Sequence, residues 1–276
     1  MRKFKLINSI GAEFDLMRTD AFLNTPDGLG FSMENSYVNI GNVYEIADEQ
    51  SSQKTVTGEM VFKGYKQYLE FVKFISYKPL KLCYKPLDEW AYLNCTVTRL
   101  DKGEISSTTS LLQCAIDFTA LSKWYIPRQA ITSTSDDVKG KNYTYTYNYT
   151  YIETVYGEFR ITNNGTEACP SKLTIFGNCI NPSWTLSQNG VITVSNSIKT
   201  EIPSNHKLII NSNDNEREIA EYTLDNVRYK NHYQNIDFDN KAFILIPTGD
   251  SMLKVSSESG LTVNAILEID ELYETI

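Results

Sequence analysis

Histidine is nearly missing: His206 and His232 are the only two in 276 residues. Imidazole is the usual general base and the commonest metal ligand near neutral pH, so its scarcity narrows the chemistry available. Neither histidine has a ligand-type partner at i+2 or i+4, and each is expected in a solvated loop. No G-x-G-x-x-G or G-x-x-x-x-G-K-[ST] run is present, and no G-x-S-x-G elbow, so no phosphate loop or hydrolase nucleophile can be read. The five cysteines are odd in number and form no C-x-x-C pair. Cys83, Cys95 and Cys114 sit in apolar strand patterns and read as reduced core thiols. Cys169 and Cys179 read the same way, with a disulfide as the minority alternative. The longest notable apolar run, Ala242 to Pro247, is far short of the ~20 residues a membrane helix needs. The start, MRKFKLINSIGAEFDLM, lacks the apolar stretch of a signal peptide, so maturation in the cytoplasm is expected. Positive charge is also short. Lys and Arg total 26 against 34 acids, a net −8, which argues against a nucleic-acid backbone as partner.

Strand-forming residues are plentiful, with 18 Tyr and 12 Phe. The run LLQCAIDFTALSKWY places Leu112, Cys114, Ile116 and Phe118 on one face of a strand. YTYTYNYTY repeats the alternation, with Tyr143 to Tyr151 pointing one way. Between them, QAITSTSDDVKGKN has few large apolar groups and reads as a linker. The fold class is therefore mainly β in two domains: residues 1–128, a linker at 129–141, and 142–276. FKLIN and EFDLM around Gly11 form a hairpin, and Val56, Gly58, Met60 and Phe62 share a strand face. One helix is expected over 64–76, with Tyr65, Tyr68, Leu69, Val72 and Ile75 as its inner stripe and Phe74 outside it. Further strands are expected at Leu80–Tyr84, Ala91–Arg99 and Leu111–Leu121, with Leu100–Ser110 as an exposed arm. After the linker many short strands punctuated by turns indicate a sandwich. Tyr143–Tyr151 is expected beside Thr262–Ile269.

Candidate sites are few. Asn211 to Glu218 opens like a calcium loop, but Glu216 stands where glycine is required and Tyr222 where a bidentate glutamate is required. Carboxylates are abundant without a specific pair. Trp184 and the tyrosine ladder could stack on a saccharide; a buried Trp184 on a sandwich strand is the favoured alternative. No catalytic residue, cofactor or metal is expected.

FKLINSIGAEFDL, PDGLGFSMENSY, FVKFISYKPLKLCYKP and LLQCAIDFTALSKWY, taken in order, resemble the N-terminal domain of the distal tail proteins of siphophages. YTYTYNYTY and SKLTIFGNCINPSWTLSQNG resemble that family's C-terminal half. The resemblance implies a structural, non-enzymatic hub at the tail tip of a phage or a tail-like bacteriocin. The N-terminal domain would close head-to-tail into a hexameric ring around a DNA-sized lumen. The C-terminal domain would be a galectin-like β-sandwich, without a recognisable galectin sugar motif. The implied partners are other copies of the chain, the tail tube or terminator-side protein, and a tail-associated lysin, fibre or receptor-binding protein, with no membrane. If a ring forms, its contacts are expected within 1–128. Phe4, Leu6 and Phe14 on the N-terminal hairpin, with Phe74, are the candidate intersubunit residues.

Overall fold

The computed structural model describes residues 2–131, 133–134, 156–259 and 263–276. Two compact units divide the chain. The first is Met1–Ile126 with Leu272–Ile276, and the second is Pro127–Glu271. The first unit contains strands β1 (Lys3–Ile7), β2 (Glu13–Asp15), β3 (Ala21–Asp27), β4 (Met33–Ile40), β5 (Val43–Ser51) and β6 (Thr55–Phe62). Helix α1 (Tyr65–Ile75) follows, then β7 (Leu80–Lys85), β8 (Ala91–Leu100), β9 (Leu112–Ala120) and β10 (Trp124–Ile131).

An antiparallel sheet runs β2-β1-β7-β8-β9-β6-β3. Its inner face follows from period-two sequence. Leu112, Cys114, Ile116, Phe118 and Ala120 are buried along β9, and Val56, Met60 and Phe62 along the paired β6. Gly58 has no side chain because Leu23 occupies the place: a Cβ there would lie 2.7 Å from Leu23 Cδ1. The expected hairpin forms between β1 and β2, with Gly11 at φ +77° in its turn.

The helix forms within one residue of its expected bounds, but its inner face is different. Phe71 is fully buried and touches the rings of Phe14 and Phe62 at 5.1 and 5.6 Å, while Leu69 is 63% exposed. Tyr68 and Phe74 also turn inward, Phe74 against Phe14 at 5.5 Å. The expected arm at Leu100–Ser110 carries no ladder beyond Leu100; a turn at 107–109 closes it.

The expected boundary also shifts. β10 runs through residue 128 into the expected linker, and Leu272–Ile276 belong to the first unit rather than the second. Tyr273 and Ile276 pack on the first core, and Glu274 pairs with Lys123. The Tyr143–Tyr151 ladder, its pairing with Thr262–Ile269, and most of the linker lie outside the described residues.

The described part of the second unit is built of strands, with one short 3-10 helix at Tyr233–Asn235: β11 (Ser133–Thr134), β12 (Tyr156–Asn163), β13 (Cys169–Phe176), β14 (Cys179–Ile180), β15 (Ser183–Gln188) and β16 (Val191–Ser197). Then come β17 (Glu201–Ile202), β18 (His206–Asn211), β19 (Glu218–Thr223), β20 (Arg228–Asn231), β21 (Leu245–Ile246), β22 (Gly249–Ser256) and β23 (Ala265–Tyr273). One sheet is ordered β11-β12-β22-β15-β16, and the other runs β23-β13-β18-β19-β20. Phe159, Leu186, Leu253 and Val255 are buried on the first, and Leu173, Ile175, Leu208 and Leu267 on the second. Alternating burial on antiparallel strands in two sheets is the sandwich pattern. All five cysteines are free and buried. Burial pushes the Cys83, Cys95 and Cys169 thiols up to about 12, which leaves them unreactive.

Candidate assembly interface

β4 and β5 pair only with each other among the described residues, forming a two-stranded ribbon closed at Gly41-Asn42, with Gly41 at φ +68°. Directly opposed residues share a face. Val38 opposes Glu45, Ile40 opposes Val43, Ser36 opposes Asp48 and Glu34 opposes Gln50, so one face has an apolar tip and an acidic base. The other face carries Tyr37 opposite Ile46 and Asn39 opposite Tyr44. Both faces are open: Tyr37, Val38, Ile40, Val43, Tyr44 and Ile46 are all at least half exposed. Contiguous exposed apolar surface marks an interaction site.

The root of the ribbon is fixed. Ser51 Oγ donates to Glu274 Oε2 at 2.8 Å, and the same carboxylate pairs with Lys123. Gln53 Nε2 donates to Ala120 O at 2.8 Å, and Lys54 Nζ to Gly30 O at 3.0 Å. A cleft of about 420 Å3 opens there, lined in part by Ser51, Lys54, Trp124 and Glu274. The Trp124 indole N–H is buried without an acceptor among the described residues.

The ribbon was not among the expected elements, although Gly-Asn between two alternating runs is a hairpin signal. The residues that were expected at subunit contacts lie elsewhere. Phe4, Leu6 and Phe14 are 1%, 0% and 6% exposed, and Phe74 is half-buried beside Phe14. β1 is paired on both edges, by β2 and β7, so it offers no free ladder to a neighbour. The unit's own core takes those rings.

Trp184 is likewise excluded as a saccharide platform. It is fully buried, and its Nε1 donates to Ala242 O at 2.9 Å. The two histidines are buried rather than solvated. Both face Glu221: His206 Nδ1 against Oε1, and His232 Nε2 against Oε2 at 2.8 Å. Burial works to raise the Glu221 pKa, but hydrogen bonds from the two imidazoles outweigh it and hold the carboxyl below its ordinary value. His206 and Glu221 lie on neighbouring strands and His232 just after a third, so the cluster ties β18, β19 and the end of β20 together. Sequence spacing gave no hint of it, since the contact is made by strand pairing. No group of three or more His, Cys, Asp or Glu among the described residues is placed to hold a metal, and no helix there is long and apolar enough to cross a membrane.

Known proteins share this architecture. The phage p2 baseplate in its activated conformation with Sr contains a chain similar at 17% identity over 100% of both chains, TM-score 0.66. The Ca form matches at 16% identity over 100% of both, TM-score 0.67. SPP1 Dit (gp 19.1), described as a hub of the adsorption apparatus in phages infecting Gram-positive bacteria, matches at 10% identity over 97% of this chain and 98% of that one, TM-score 0.66. No curated protein matches. The fold is thus that of baseplate hub subunits. Residues 3–121 match the distal tail protein, N-terminal domain, which accounts for the first unit.

Proposed function

We propose that this chain is the hub of a phage baseplate, with six copies closed head-to-tail through their first units around a lumen wide enough for DNA. The tail tube or its terminator would meet one face of the ring, and the lysin, fibre or receptor-binding protein the other, placing the protein at the virion tail tip. The observation that carries this reading is the β4–β5 ribbon: a distal-tail-type domain with two strands that expose apolar side chains on both faces and pair with no further strand among the described residues. A two-stranded ribbon is marginal in water and gains stability when another surface covers it. Heterologous contacts of this kind close into rings when the rotation permits. The role is structural, and the net −8 charge suits a channel that does not retain phosphate.

Light scattering with negative-stain imaging of the full-length protein tests the reading. Ring particles of six-fold symmetry, single or stacked, are expected. A strict monomer at high concentration would sink it. The channel role is tested separately by gel shift at physiological ionic strength, where no DNA complex is expected.

A further inference from the structure

The first unit carries two surfaces of opposite character, both exposed among the described residues. The ribbon, residues 33–51, holds Glu34, Glu45, Asp48 and Glu49 and no basic residue. The stretch 63–78, centred on α1, holds Lys63, Lys66, Lys73 and Lys78 against the single acid Glu70. Lys66, Leu69 and Lys73, at i, i+3 and i+7, share one helix face. That face points away from the core, because Phe71 and Tyr68 point into it. Leu69 at its centre is 63% exposed, and Tyr77 just beyond the helix is 40% exposed. Neither lysine makes an ion pair among the described residues, and neither do Glu34, Glu45 or Glu49.

We propose that the acidic face of the ribbon (Glu34, Val38, Ile40, Val43, Glu45) docks on the Lys66–Leu69–Lys73 face of α1 in the next copy. This rests on the ring reading and names the surfaces that close it. The match is chemical at both levels: acid against lysine, and the apolar tip against Leu69. The two surfaces differ from each other, so one unit presents both halves of a heterologous contact, and repetition generates a ring rather than a two-fold dimer. Opposed charges also bias encounter toward this register and against ribbon-on-ribbon pairing.

Two charge-reversed full-length proteins test it: Glu34→Lys/Glu45→Lys, with a basic ribbon, and Lys66→Glu/Lys73→Glu, with an acidic helix face. All four positions are exposed, so circular dichroism and melting should match wild type. Assembly is read by mass photometry and sedimentation. Wild type should form rings that weaken with added salt. Each variant alone should remain monomeric at concentrations about tenfold above those at which wild type assembles. An equimolar mixture of the two should form rings again, because the basic ribbon of one fits the acidic helix of the other, and an even-numbered ring accepts alternation. If either variant assembles as wild type does, or if the mixture stays monomeric, the docking is overturned while the ring reading stands. A wild type that never assembles overturns both.

Discussion

The two units handle polarity in opposite ways. The first has a core of aromatic, aliphatic and thiol side chains, from Phe4 to Trp124, and among its described charged groups only Glu274, at the root of the ribbon, is buried. The second puts charge inside: Glu221 at 3% exposure between His206 and His232, with Asn163, Asn196 and Asn211 also buried and hydrogen-bonded. A buried charge must be paired and hydrogen-bonded to be tolerated, and the second unit meets that demand from its own strands and loops. Asn196 holds the loop at 237–240 through three bonds, donating to Asp237 O and Asn240 O and accepting from Asp237 N. The second unit therefore specifies its loops internally. The first unit's ribbon instead leaves both faces open above its root, with Tyr37, Val38, Ile40, Val43, Tyr44 and Ile46 at least half exposed.

The contrast can be broken by experiment. Phe71→Ala removes the ring that α1 plants between Phe14 and Phe62, and should cost about 4 kcal/mol by chemical denaturation. Buried-cavity loss in an apolar core predicts no dependence of that cost on pH between 4 and 8, and a strong dependence would mean the first unit also relies on charge. Glu221→Leu should cost about 3 kcal/mol, because two buried imidazoles lose their acceptor. A loss below ~1 kcal/mol would show that the cluster is decorative and the contrast false.

The sign with pH follows from the same group. Glu221 is held below the ordinary carboxyl value of 4.5 in the folded protein. Its contribution is fully present above about pH 4.5 and fades as pH falls through the lower folded value. Thermal melts of wild type and Glu221→Leu should therefore converge on acidification below pH 4.5. Parallel curves would refute the assignment. The smallest effect compares two tryptophans. Trp184 gives its N–H to Ala242 O, whereas the Trp124 N–H has no acceptor among the described residues. Trp184→Phe should be more costly than Trp124→Phe by about 1–2 kcal/mol, the value of leaving a buried carbonyl unpaired against removing an unpaired donor. Equal costs would mean that the Trp124 indole finds an acceptor in solution.

Much of the scaffold was readable because it obeys one rule. β9 alternates cleanly between Leu112 and Ala120, and β6 pairs with it in register, so the inner face could be written down residue by residue. The ribbon breaks that rule. Val38, Ile40, Val43 and Ile46 are apolar and point outward, so a pattern search that equates apolar with buried passes over them. The helix misleads for a related reason. Tyr68, Phe71 and Ile75 form one apolar arc and Tyr65, Leu69 and Val72 an adjacent one. Only contact with Phe14 and Phe62 decides which faces in. The Glu221 cluster is invisible for a third reason. Its members are 15 and 11 residues apart, and cross-strand pairing alone brings them within hydrogen-bond range.

Leu272–Ile276 complete the first unit, and the whole of Pro127–Glu271 stands between them and the rest of it. On the ribosome those residues emerge only after the second unit has been made, and units generally fold as they emerge. Until then the Ser51 hydroxyl and the Lys123 ammonium lack the Glu274 carboxylate that anchors the ribbon's root. The Glu274 anchor is thus the last part of the ribbon's root to be synthesised, added to the Gln53–Ala120 and Lys54–Gly30 bonds that lie within the earlier chain.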